Sequence, residues 1–309
     1  VKYGVVKDYV LNLEVVLPTG EIIWTGSNVL KNATGYNLTQ LIVGSEGTLG
    51  IVTKIVLRLL PHPKFDLLML APFNSVEKAC EAVSAIFRAG ITPSALELME
   101  IESIKLASKI CDSTAIPITD GLAAHLIIEV DGNDIDVLMK EMEAISAVLE
   151  NFEVGELYFA DDAQQKNELW KIRRKANEAA VAAGYTIEED TVVPRAELPR
   201  LIKGVKALAD ENGFKVVSYG HAGDGNLHIR INHPTIKKSY ENEQIQSILA
   251  KIFELVKSLG GTISGEHGIG LIQKSFMPIM FEKANMDLMK GIKKVFDPHH
   301  ILNAGKIFD

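Results

Sequence analysis

Between His221 and His228 the chain reads His-Ala-Gly-Asp-Gly-Asn-Leu-His, and this stretch constrains the fold more than any other. Glycine and asparagine accept positive φ, so Gly223-Asp224-Gly225-Asn226 is a turn sequence. Val216–Tyr219 before it and Leu227–Ile231 after it have strand composition, which makes the whole a hairpin. With those four residues as the turn, Ala222 opposes Leu227 and His221 opposes His228. Directly opposed residues carry their side chains on one face, with Cβ atoms ~5 Å apart. Two imidazoles so placed can reach one divalent cation.

Around this hairpin the pattern alternates between strand and helix. An earlier hairpin spans residues 10–25, turning at Pro18-Thr19-Gly20, and a further strand runs from Ile51 to Leu60. Pro61-His62-Pro63 then marks a domain boundary. Beyond it, strands are expected at 67–71, 95–99, 124–130 and 155–160. Helices are expected at 75–88, 134–150, 163–183, 197–212 and 244–259, several closed by glycine, and a last helical stretch at 276–295. The expected class is α+β, with an antiparallel sheet flanked by helices and a C-terminal helical segment. The expected divisions are 1–62, 63–263 and 264–309.

A second motif, Gly265-Glu266-His267-Gly268, follows Gly260-Gly261-Thr262-Ile263-Ser264. Glutamate and histidine between glycines sit on a tight loop where backbone can approach another group. Two histidines and a glutamate make a three-ligand set with one position open, the pattern of a catalytic rather than a closed structural site. Zinc, manganese, iron or cobalt suits such ligands, and ligand type alone does not choose among them. A third motif, Gly44-Ser45-Glu46-Gly47-Thr48-Leu49-Gly50, lets backbone N–H groups approach a phosphate or ring, but it lacks a Walker lysine and is not G-x-G-x-x-G.

Composition limits the partners. The 309 residues carry a net charge of -8 and no basic run, which speaks against nucleic acid. Cys80 and Cys111 have no metal or redox spacing, so a cytoplasmic setting is the expectation. No apolar run reaches the ~18 residues of a membrane span.

GSEGTLGIVT, HAGDGNLH, GEHGIG, LNAGK (Leu302–Lys306) and Leu169-Trp170-Lys171-Ile172-Arg173-Arg174-Lys175 occur together here. As a set they resemble the FAD-linked oxidase family of the vanillyl-alcohol oxidase superfamily, in its glycolate oxidase, D-lactate dehydrogenase and D-2-hydroxyglutarate dehydrogenase group. The resemblance covers essentially the whole chain and implies that a further N-terminal part of an FAD domain precedes Val1. Residues 1–62 would be the second part of that domain, 63–263 a substrate or cap domain, and 264–309 a segment returning to the flavin.

The resemblance also implies roles. Thr34, Gly35, Gly44, Ser45, Glu46, Gly47, Thr48, Gly50 and Thr53 would line FAD, with Asn303 near the flavin edge. His221, His228 and Glu266 would ligate the metal, His267 would be the catalytic base, and Arg173 would bind the substrate carboxylate, with Arg174 and Lys175 as neighbouring candidates. The 2-hydroxyglutarate members meet the distal carboxylate with a threonine and a lysine. Asn177 and Glu188 stand at those positions here, which points to a smaller acid such as D-lactate or glycolate. Asn37 also replaces an aspartate common in the family. Electrons would pass to an electron-transfer flavoprotein, an iron–sulfur subunit or a quinone, the last compatible with attachment at the membrane periphery; a homodimer is compatible as well. Two other classes fit the residues alone: a metal-dependent hydrolase, and a non-catalytic subunit of an oxidase complex.

Overall fold

A computed structural model describes residues 1–160, 162–234, 240 and 242–308. In chain order its strands are β1 (Val10–Val16), β2 (Ile22–Trp24), β3 (Ile51–Leu57), β4 (Phe65–Phe73), β5 (Ala95–Glu100), β6 (Ala124–Gly132), β7 (Tyr158–Phe159), β8 (Ile187–Val192), β9 (Lys215–Gly220) and β10 (Asn226–Asn232). Its α-helices are α1 (Leu38–Ile42), α2 (Val76–Arg88), α3 (Ile101–Cys111), α4 (Ile135–Leu149), α5 (Ala163–Ala182), α6 (Leu198–Asn212), α7 (Glu243–Ser258), α8 (Met277–Met280) and α9 (Lys283–Phe296). The chain forms two compact units, Val1–Tyr3 with Pro63–Gly265, and Gly4–His62 with Glu266–Asp309. Among the described residues no helix is long and apolar enough to cross a membrane.

The larger unit is built on a seven-stranded antiparallel sheet in the order β7-β4-β6-β5-β9-β10-β8. Alternation along the strands sends side chains to two faces. On one face Leu68, Leu70, Met99, Ile127 and Tyr219 pack with Ile104 and Ala107 of α3 and with Leu169, Ile172, Ala176 and Ala179 of α5. α2 packs with α4 and α6, and α6 with α7. The helices start where the sequence offers caps: Ser75, Asp134, Asp162 and Asn242 accept hydrogen bonds from first-turn N–H groups of α2, α4, α5 and α7.

β8 and α3 lie in stretches the pattern reading leaves unassigned. β8 reads Ile-Glu-Glu-Asp-Thr-Val, and its acidic residues obscure the strand signal. α3 begins directly from β5 without a side-chain cap at Glu100, so no start signal precedes it.

The smaller unit has a three-stranded sheet, β2-β1-β3, in which Leu13 and Val15 of β1 bury against Ile42 of α1. The residue 266–308 segment joins the rest of this unit through Lys293, which donates to the carbonyls of Thr48 (2.7 Å) and Leu302 (2.8 Å) and pairs with Asp297 at 2.5 Å. Burial would raise the Asp297 carboxyl, but the Lys293 ammonium and the N–H groups of Leu302 and Ile301 bring it down to about 2. The single helical stretch expected at 276–295 is broken: a 3₁₀ turn at Lys274–Phe276 and the short α8 precede Phe281, which is extended, and α9 starts at Lys283.

Candidate active site

The histidine hairpin forms, but with a register two residues from the expected one. β9 and β10 pair Tyr219 with His228, not His221 with His228. The cause is the turn: Ala222–Asp224 close a 3₁₀ turn, and Asn226 N donates to His221 O, so the loop takes in His221 as well. A shift of two keeps the face. His221 therefore still meets His228, ring centroids 5.8 Å apart and edge to face at 76°. Each ring brings one nitrogen within 4.8 Å of the other's. His228 is buried and His221 partly so.

Carboxylates from two neighbouring strands meet these rings. Glu97 of β5, only 5% exposed, places Oε1 2.8 Å from Nδ1 of His221. Its Oε2 accepts from Arg173 Nε at 2.9 Å and lies 2.8 Å from Nη2. Burial would raise the Glu97 carboxyl, yet the His221 hydrogen bond and the Arg173 charge hold it below the usual range. An ionised carboxylate only accepts, so Nδ1 of His221 carries the proton. On the other side, Glu188 of β8 lies 3.6 Å from Nδ1 of His228 and 2.5 Å from Arg230 Nη2.

α5 supplies the cation. Arg173 is 8% exposed and stacks over Tyr219, with its guanidinium carbon 5.3 Å from the ring centroid. Its neighbours differ: Arg174 is exposed, and Lys175 pairs with Glu178 on the same helix. One turn further on, Asn177 accepts from Arg230, which also donates to the Tyr219 hydroxyl at 3.3 Å. Glu97 and Arg230 belong to this cluster, although neither carries a motif that would pick it out of the sequence.

The chain leading to Glu266 is tied to β8. Thr262 pairs with Val192, and Gly265 N donates to the Asp190 carbonyl and to its carboxylate, both at 2.9 Å. A Cβ on Gly265 would stand 2.5 Å from Asn226 Nδ2 and 2.6 Å from a Val192 methyl, so only glycine lets the backbone pass this close. These contacts keep Thr262–Gly265 with the larger unit, and Glu266 and His267 follow in the chain.

In the smaller unit, Glu46 adopts a left-handed conformation (φ 52°) and accepts from the N–H groups of Ile269 (2.7 Å) and Gly270 (2.8 Å). This anchors the loop that carries Glu266 and His267, both exposed. Asn303 donates to the Glu46 carbonyl at 2.5 Å, and a Cβ on Gly47 would come within 2.8 Å of the Asn303 amide. Gly44, Ser45, Glu46, Gly47, Gly50 and Asn303 border one cleft of about 700 Å³. Thr34 and Gly35 border another, of about 520 Å³. Thr48 turns its hydroxyl back to the Ser45 carbonyl, and Thr53 donates to Glu14.

The chain has counterparts among known proteins in both sequence and fold. Residues 62–307 match the family model described as FAD linked oxidases, C-terminal domain. The chain belongs to the FAD-linked oxidase family. It is 38% identical over 312 residues to the glycolate oxidase subunit GlcD of Bacillus subtilis (strain 168), covering 99% of this chain and 64% of that protein. It is 36% identical over 311 residues to a D-lactate dehydrogenase of Anaerostipes hadrus, covering 99% of this chain and 66% of that one. The chain thus spans just under two thirds of the length of these relatives. In fold it is similar to p-cresol methylhydroxylase, with a TM-score of 0.73 over 98% of this chain and 65% of that one, at 15% identity.

Proposed function

We propose that the chain is the substrate-bearing portion of an FAD-dependent enzyme that oxidises a small D-2-hydroxy acid, of the D-lactate or glycolate kind, to the 2-oxo acid. One observation carries the reading: Arg173 and His221 are bridged by the single carboxylate of Glu97. A guanidinium and an imidazole are thereby set one carboxyl group apart. A 2-hydroxy acid presents its carboxylate and hydroxyl on adjacent carbons, a spacing that matches. The names of the two relatives, a glycolate oxidase subunit and a D-lactate dehydrogenase, support the same chemistry.

The donor set suits a divalent metal: two imidazoles on one sheet face, one of them with its Nδ1 committed to Glu97, which leaves coordination to Nε2. His221, His228 and Glu266 would hold the ion, and zinc, manganese, iron or cobalt fits such ligands. The cleft backed by Gly44 and Gly47, both at positive φ, fits an aromatic cofactor approaching backbone, and with Thr34, Gly35, Thr53 and Asn303 it would hold FAD. When bound, FAD would supply the acceptor for the C2 hydride, and a divalent metal would supply the charge that lowers the hydroxyl pKa.

The side chains do the rest. Arg173 orients the carboxylate through a charge-assisted contact, for which a guanidinium has five donors. His267 receives the hydroxyl proton. At Arg230 a distal substrate carboxylate would have to compete with Glu188 and Asn177 for Nη2, which favours a monocarboxylate. Electrons leave to an electron-transfer flavoprotein, an iron–sulfur subunit or a quinone. A cytoplasmic enzyme of this kind should reduce a dye acceptor with D-lactate or glycolate as donor. A screen of 2-hydroxy acids on the holoenzyme tests this, and turnover with none of them would overturn it.

A further inference from the structure

Three elements converge on Glu97. It sits on β5, between Leu96 and Leu98, both fully buried. It divides its oxygens, Oε1 to His221 Nδ1 and Oε2 to Arg173 Nε and Nη2. A buried carboxylate with a different partner on each oxygen cannot move toward one without leaving the other.

Glu188 offers a comparison. It too lies between a histidine, His228, and an arginine, Arg230. Arg230, however, is also fixed by Asn177 and the Tyr219 hydroxyl, so its position does not depend on Glu188 alone. Arg173 has the Glu97 carboxylate and the face of Tyr219. A ring face sets no direction for the guanidinium fork, whereas a carboxylate does.

We propose that Glu97 is a positioning residue that fixes the tautomer of His221 and the fork of Arg173 together, so that one side chain sets both the metal affinity and the carboxylate affinity of the site. This rests on the reading of His221 as a metal ligand and Arg173 as the carboxylate receptor. By accepting from Nδ1, Glu97 puts the lone pair of the neutral ring on Nε2. By accepting from Nε, it sets the plane in which the remaining guanidinium donors lie.

Cobalt(II) titration of the full chain, followed by the visible absorbance of the bound ion, measures the first effect. Nitrogen-15 NMR of the histidines reads the tautomer, and D-lactate titration of the cobalt-loaded chain reads the second. Glu97→Gln should weaken cobalt binding about 10- to 100-fold, the usual loss for an outer-shell partner, and should weaken D-lactate binding as well. Glu97→Asp, which keeps the charge on a shorter arm, should recover part of both. A Glu97→Gln chain that binds cobalt within about threefold of the parent, well short of that range, overturns the proposal if His221→Ala has lost the metal. If His221→Ala also binds normally, it is the metal reading of the histidines that fails. Should Glu97→Gln not fold, the parent spectrum still decides, because a His221 ring protonated on Nε2 contradicts the proposal.

Discussion

Glu188 and Arg230 face one another across β8 and β10, and their carboxylate and guanidinium meet at 2.5 Å, with Arg230 only 4% exposed. A cation two residues from His228 is thereby neutralised by the chain's own side chain. In the proposed reaction this is a statement about substrate range.

Glu188→Gln should therefore change selectivity more than rate. With its charge partner removed, Arg230 can accept a distal carboxylate. The ratio of kcat/KM for D-2-hydroxyglutarate over D-lactate should rise by roughly tenfold or more, since a hydrogen bond to a charged group is worth about 1.5–3 kcal/mol. Taking the ratio cancels any effect of Glu188 on His228. An unchanged ratio would mean that Arg230 lies outside the substrate pocket.

Glu100 gives a prediction about stability. It is buried on the opposite face of β5 from Glu97, accepting from Ser218 N at 2.8 Å, and burial pushes its carboxyl up to about 7. A carboxyl whose folded pKa lies above its unfolded one, near 4.5, binds more protons when folded. Its contribution is thus fully present below pH 4.5 and is lost as pH rises through 7. Glu100→Gln, which keeps an acceptor for Ser218, should remove that slope. Urea unfolding at pH 5 and pH 8 should show the variant gaining on the parent by on the order of 1–3 kcal/mol at the higher pH. Equal slopes for the two proteins would contradict it.

His228→Ala bears on the metal. His228 is buried on the sheet, flanked by Tyr219 and His221. The variant should keep its fold by circular dichroism and weaken metal binding at least about tenfold, or ~1.4 kcal/mol. Elemental analysis after dialysis checks this, and full occupancy in the folded variant would exclude His228 as a ligand.

Much of the fold is legible in the sequence because its elements carry periodicity and caps, as α2 and α4 do from Ser75 and Asp134. The two histidines are legible as a pair, but not their register, because a turn of Gly-Asp-Gly-Asn does not reveal that Ala222 begins a 3₁₀ turn. The positioning shell is not legible. Glu97 and Arg230 are charged residues inside strands, where local pattern implies a solvent face, and only the pairing of β5, β9, β10 and β8 shows that they sit beside the histidines; Glu188 is reached in the sequence through the resemblance alone. Likewise Glu46 reads as one more residue of a glycine loop until its carboxylate is seen to hold Ile269 and Gly270.

If a 2-hydroxy acid is oxidised here with His267 as the base, as proposed, the rate of flavin reduction is where the loss of His267 should be felt. His267 follows Glu266 on the loop anchored by Glu46, so its loss should spare the anchoring contacts. Anaerobic stopped-flow of the FAD-loaded, full-length enzyme with saturating D-lactate or glycolate should show rapid flavin bleaching in the parent. In His267→Ala, with metal and flavin retained, that rate should fall by about 10²–10⁴-fold, or roughly 3–5 kcal/mol of barrier. A parent flavin that no 2-hydroxy acid bleaches, or a variant within about threefold of the parent rate and so far below the general-base range, would contradict the account.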